Sequence, residues 1–107
     1  PPAVPARRTM VEMLAEQRRY TEQLAQLEAI RAVEPPSPLT LHSTAQALFN
    51  LGRYTDARPL VDECIQLNAS YPGCWMLQAN LLQKEGQTTE AKAAYERALE
   101  LAKGPPQ

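Results

Sequence analysis

Apolar residues recur along the chain at helical spacing, and the same arrangement returns after 34 residues. Trp75, Ala79 and Leu82 stand at i, i+4 and i+7, which places them on one face of a helix. Gly86 follows, and a helix end favours a residue that tolerates left-handed backbone. Thr88 or Thr89 then offers a hydroxyl to cap a second helix, whose apolar stripe is Ala91, Tyr95 and Ala98. Earlier in the chain Leu41, Ala45, Leu48, Gly52, Thr55, Ala57, Val61 and Cys64 run in the same order. Like residues face each other across the offset at Ala45/Ala79, Leu48/Leu82, Gly52/Gly86, Thr55/Thr89, Ala57/Ala91 and Leu67/Leu101. A period of this length is that of a helix–turn–helix unit. Small residues at 45 and 79 let two helices approach closely, and the large side chains of Trp75 and Tyr95 fill the space beside them. The core expected from this pattern is Ala45, Leu48, Ala57, Trp75, Ala79, Leu82, Ala91 and Tyr95.

A second subtraction of the period reaches the start of the chain. Arg19-Tyr20-Thr21-Glu22 falls on Arg53-Tyr54-Thr55-Asp56, Leu14 on Leu48, Leu27 on Val61 and Ile30 on Cys64. This first copy is degenerate: Val11 replaces the small residue, Arg18 the turn glycine and Gln23 the alanine. No glycine or proline occurs between Arg7 and Val33, so local propensity also permits one long helix there. The repeat favours a hairpin. Helices are expected near 6–18, 21–33, 38–51, 55–68, 72–85 and 89–103, with ends uncertain by about 2–4 residues. Pro59 falls at the end of a helix's first turn, where a missing N–H is least harmful.

The last copy resembles the tetratricopeptide repeat: Trp75, then Ala79 at its glycine place, Leu82 at its tyrosine place, then Gly86, Ala91, Tyr95 and Ala98. It departs at Gln78, where leucine is usual. The middle copy has Leu41 in place of the tryptophan, and Pro35 stands where the family often closes the first copy. The fold class this implies is all-α: an α-solenoid of about three antiparallel helix–turn–helix repeats, six helices in all. The repeats would cover 4–37, 38–71 and 72–103, a domain over 6–103 between proline-rich stretches at 1–5 and 104–107.

Composition narrows the function classes. Eleven Lys+Arg against 12 Asp+Glu give a charge of −1, unlike the basic footprint of a nucleic-acid binder. Apolar residues make up 44% of the chain, but no run is long enough for membrane insertion. His42 is the only histidine, with no patterned nucleophile and no glycine-rich phosphate loop, so no enzyme is expected. Cys64 and Cys74 are too few for a disulfide framework and lack partners for a metal site. They are expected as two thiols packed in a helical core. No cofactor is expected either. Asn68-Ala69-Ser70 matches a glycosylation acceptor pattern, which is short and common.

The resemblance points instead to a partner-binding groove lined by the first helix of each repeat. Its ligand positions fall on Arg8, Glu12, Ala15 and Glu16 in the first copy, on His42, Gln46, Phe49 and Asn50 in the middle copy, and on Met76, Asn80, Gln83 and Lys84 in the last. Phe49 and Met76 are large apolar side chains on an otherwise polar face, which suggests contact with a partner. The amides of Gln46, Asn50, Asn80 and Gln83 suit the backbone of an extended peptide. Family members that clamp a terminal carboxylate use lysine and arginine where this chain has Met76 and Asn80, which argues against such a clamp. The function implied is a protein- or peptide-binding module of a larger protein. The alternatives are a spacer or self-assembly segment, or a regulatory appendage to an enzyme. Leu99 and Leu101 lie beyond the inner stripe of the last helix and are expected to be partly exposed, as a surface for a further repeat or for a homo-oligomer.

Overall fold

The computed structural model describes residues 3–104. Of the expected proline-rich flanks at 1–5 and 104–107, residues 1–2 and 105–107 lie outside the described residues, Gly104 caps α6, and residues 3–5 are not a linker but the first turn of α1, with Val4 buried in the core. Among the described residues there are six α-helices and no strand: α1 (Ala3–Glu16), α2 (Tyr20–Arg31), α3 (Pro38–Asn50), α4 (Tyr54–Leu67), α5 (Pro72–Lys84) and α6 (Thr88–Lys103). They form three antiparallel pairs, α1–α2, α3–α4 and α5–α6. Each pair stacks on the next, with α2 against α3, and α5 against both α3 and α4.

Backbone chemistry at the turns makes the three pairs alike. Gly52 and Gly86 have φ values of 77° and 81°, and Arg18 takes the same left-handed conformation at φ 57°. The residue after each donates its N–H back over the helix end: Arg19 to the Leu14 carbonyl (2.9 Å), Arg53 to Leu48 (2.8 Å) and Gln87 to Leu82 (2.9 Å). This 6→1 bond satisfies a carbonyl that the helix leaves without a partner. The stretch between Arg7 and Val33 is therefore a hairpin and not one long helix. The caps differ from expectation. Arg19, Arg53 and Gln87 occupy the N-cap positions without a side-chain cap bond, and the threonines lie within the first turns. Ser37 does cap α3, accepting from the Thr40 N–H at 3.3 Å with Pro38 beginning the helix.

The core runs through the stack. Leu41, Ala45, Val61, Cys64, Leu77 and Leu81 are each at most 1% exposed. Five members of the expected core, Ala45, Leu48, Ala57, Ala79 and Ala91, are buried. Trp75, Leu82 and Tyr95 are only half-buried. The reason is that α5 is an inner helix with two apolar faces. Cys74, Leu77 and Leu81 form the sealed face against α3 and α4, while the face expected from periodicity turns towards α6, where Ala79 is buried and Trp75 and Leu82 reach the edge of the stack. Trp75 is held there by its indole N–H, which donates to the Ala69 carbonyl at 2.8 Å. Leu99 is 58% exposed and Leu101 half-buried, as the open stripe of the last helix requires.

The two cysteines correct a second expectation. They are not separate thiols: Cys64 and Cys74 form a disulfide with Cα atoms 6.4 Å apart, joining the end of α4 to the first turn of α5. Both are fully buried beside Leu41. No helix of the described residues is long and apolar enough to cross a membrane.

Candidate partner-binding face

The candidate binding residues come from the three first helices at repeat-equivalent positions. Arg8, His42 and Met76 form one row, Glu12, Gln46 and Asn80 a second, and Glu16, Asn50 and Lys84 a third. The stack fixes these rows because the opposite sides of α3 and α5 are buried.

The first row changes character along the stack. The Arg8 guanidinium pairs with the Glu34 carboxylate and donates to the Thr40 hydroxyl at 3.1 Å, which ties α1 to the start of α3. His42 is half-buried, its ring 5.8 Å from that of Tyr71. A Cβ on Gly73 would lie 2.9 Å from His42 Nε2, so the glycine is what lets α5 begin so close to this imidazole. Burial pushes the His42 pKa below its usual value of 6.5. Met76 is 42% exposed, although Cys74 and Leu77 on the same helix are fully buried.

The amides are more occupied than expected. Gln46 donates to Asn50 at 3.1 Å, and the Tyr95 hydroxyl lies within hydrogen-bonding reach of the side-chain oxygens of both Asn80 and Gln83, 3.0 Å for the latter. Their NH₂ groups remain as donors, which suits the carbonyls of a bound backbone. Phe49 and Met76, paired by the sequence, part company. Phe49 lies 5.0 Å from the Tyr54 ring at a tilt of 55° and packs against the buried cluster shared by α3, α4 and α5, whereas Met76 stays open. Lys84 Nζ lies over the Tyr54 ring, 5.8 Å from its centroid. Glu12 and Glu16 are exposed.

Two residues were not singled out by sequence reasoning. Leu39 is 51% exposed. It lines, with Arg8, Glu12 and Ser43, a small cavity of about 80 Å³ whose floor is Val11, Leu27 and Ile30. Tyr54 serves as the shared platform for Phe49 and Lys84. Leu39 stands three residues before His42, and that spacing on one helix face was the available signal.

This architecture is that of two solved structures. The type III secretion translocator chaperone SycD of Yersinia enterocolitica (alternative dimer) superposes with a TM-score of 0.86 at 15% identity, over 99% of this chain and 80% of that one. The Sgt2 TPR domain from Aspergillus fumigatus gives 0.85 at 16% identity, over 100% of this chain and 71% of that one. At such identities the likeness establishes the tetratricopeptide-type fold. No curated protein matches the sequence. The family model described as "Anaphase-promoting complex, cyclosome, subunit 3" matches residues 16–98, well over half of the chain, and the chain belongs to that family.

Proposed function

We propose that this chain is a protein-interaction module that holds a peptide or a partner helix along the first helices of its three pairs, α1, α3 and α5. The observation that carries this reading is Met76. A large apolar side chain stays 42% exposed on a helix whose other face is sealed, beside amides with NH₂ donors to spare. Leu39, 51% exposed on α3, adds a second apolar contact. The reading is one of recognition: His42, on the same face, packs against the Tyr71 ring and the backbone of Gly73. Family membership supports the reading, since the family is named for a subunit of a multiprotein complex.

The test is affinity capture with the chain and with its Met76→Glu variant, compared by quantitative mass spectrometry. Circular dichroism establishes that the variant is folded, as an exposed position allows. The expected result is a loss of captured partners of about tenfold or more, the scale at which a central interface contact acts. Identical capture by the two forms would remove this face from the interaction.

A further inference from the structure

The seam between α4 and α5 shows how this chain joins one helix pair to the next. Cys74, Leu77 and Leu81 present an i, i+3, i+7 stripe, each at most 1% exposed, and Ala57 and Val61 beneath them are fully buried. Arg58 closes the rim, donating to Gln78 at 2.9 Å and to the Glu85 carboxylate at 2.9 Å.

Both halves of this seam recur at opposite ends of the described stack, where on α6 Ala91 is buried, Tyr95 half-buried and Leu99 58% exposed. A shift of 34 residues carries Ala57, Arg58, Val61 and Ile65 onto Ala91, Lys92, Tyr95 and Leu99. These four wall a depression of about 380 Å³ on α6, together with Gln83. A shift of 68 residues the other way carries Cys74, Leu77, Gln78 and Leu81 onto Ala6, Thr9, Met10 and Met13 of α1. Ala6 and Thr9 are exposed, Met10 is 39% and Met13 45% exposed.

We infer that these two faces dock on each other between copies of the chain, α1 of one copy seating on α5–α6 of the next and repeating the α4–α5 seam. The volumes complement one another. Tyr95 is larger than Val61, and Ala6 and Thr9 are smaller than Cys74 and Leu77, so the bulkier seat receives the slimmer helix. Lys92 stands in the place of Arg58, and Gln17, at the place of Glu85, offers it an amide oxygen in place of a carboxylate. The rim therefore holds less tightly than the internal one. Because the two faces differ, the contact is heterologous, and each added copy leaves one face of each kind free for the next. One helix face buries less than a standard interface, so association is concentration-dependent.

Sedimentation of the 107-residue chain from micromolar to millimolar concentration reads this directly, with Met13→Asp and Leu99→Asp as variants. Both positions are exposed, and melting curves establish that both variants fold. The expected result is a mass that rises with concentration in the parent chain, while each variant alone stays monomeric. Mixed together, the variants form a 1:1 dimer and go no further, because Met13→Asp keeps the seat and Leu99→Asp keeps the docking helix. A parent chain that is monomeric throughout overturns the inference. So does a dimer that either variant alone still forms, or a mixture that stays monomeric.

Discussion

His42 is wedged between the Tyr71 ring and the backbone of Gly73, in a space that one extra carbon would fill. Removing an imidazole from water disfavours its charged form. In the unfolded chain it takes its proton near pH 6.5, and in the fold only at lower pH. As pH falls below 6.5, the unfolded state therefore binds more protons than the folded one. The stability contributed by neutral His42 is present in full above that value. It declines towards the folded pKa and is fully lost below it. Urea midpoints measured above and below pH 6.5 should converge between the parent chain and His42→Gln as the solution is acidified. A constant gap between the two would show that His42 takes up its proton at the same pH folded and unfolded. The sequence singled out His42 as a lone histidine on a binding face, but its neighbours come from the next repeat. No spacing within α3 reveals that Gly73 brings α5 against it. The cysteines were opaque for the same reason, since pairing depends on a Cα separation of 6.4 Å that the packing of α4 on α5 creates.

Among the elements, the first hairpin shows how far periodicity reaches. Its turn was located by counting back 34 residues from Gly52, and the turn is there, but an arginine carries the left-handed backbone. For a residue with a Cβ this conformation costs about 1–2 kcal/mol relative to right-handed backbone. Glycine would relieve it while giving back part of the gain through its freer unfolded chain. Arg18→Gly is therefore expected to stabilise the protein by about 0.5–1 kcal/mol, and Gly86→Ala to destabilise it by about 1 kcal/mol. Chemical denaturation of the two variants tests this: opposite signs at equivalent turns are expected, and equal signs would contradict it. The helices themselves were legible because apolar spacing survives even where the signature residues have drifted. Which apolar face of α5 is sealed was not legible. A period identifies stripes, but an inner helix has two, and only its neighbours decide that Leu77 and Leu81 are covered while Trp75 and Leu82 stay at the rim. On the binding face the same limit separates Phe49 from Met76: Tyr54 packs beside one, while the other stays 42% exposed.

Among the described residues the molecule is a stack in which each pair leans on its neighbour, and one side-chain cross-link, a disulfide, ties the second pair to the third. The Cys64–Cys74 bridge closes a sequence separation of 10 residues. By the chain-entropy account a loop of that size stabilises the fold by about 2–3 kcal/mol. A Cys64→Ser/Cys74→Ser double variant should unfold at correspondingly lower denaturant, and a dithiol reductant should lower the parent chain towards the same midpoint. A parent chain unmoved by full reduction would place the stabilisation in packing alone. The bridge also has a mechanical consequence. Drawn out by its two ends, a solenoid lengthens as each pair peels away and its residues straighten to about 3.3–3.6 Å apiece. The stretch from Cys64 to Cys74 is withheld from that extension, because its ends stay about 6.4 Å apart however hard the chain is pulled. The taut chain is thus shorter by about 27–30 Å when oxidised than when reduced, and the junction between the second and third pairs acts as an inelastic link in an otherwise extensible thread.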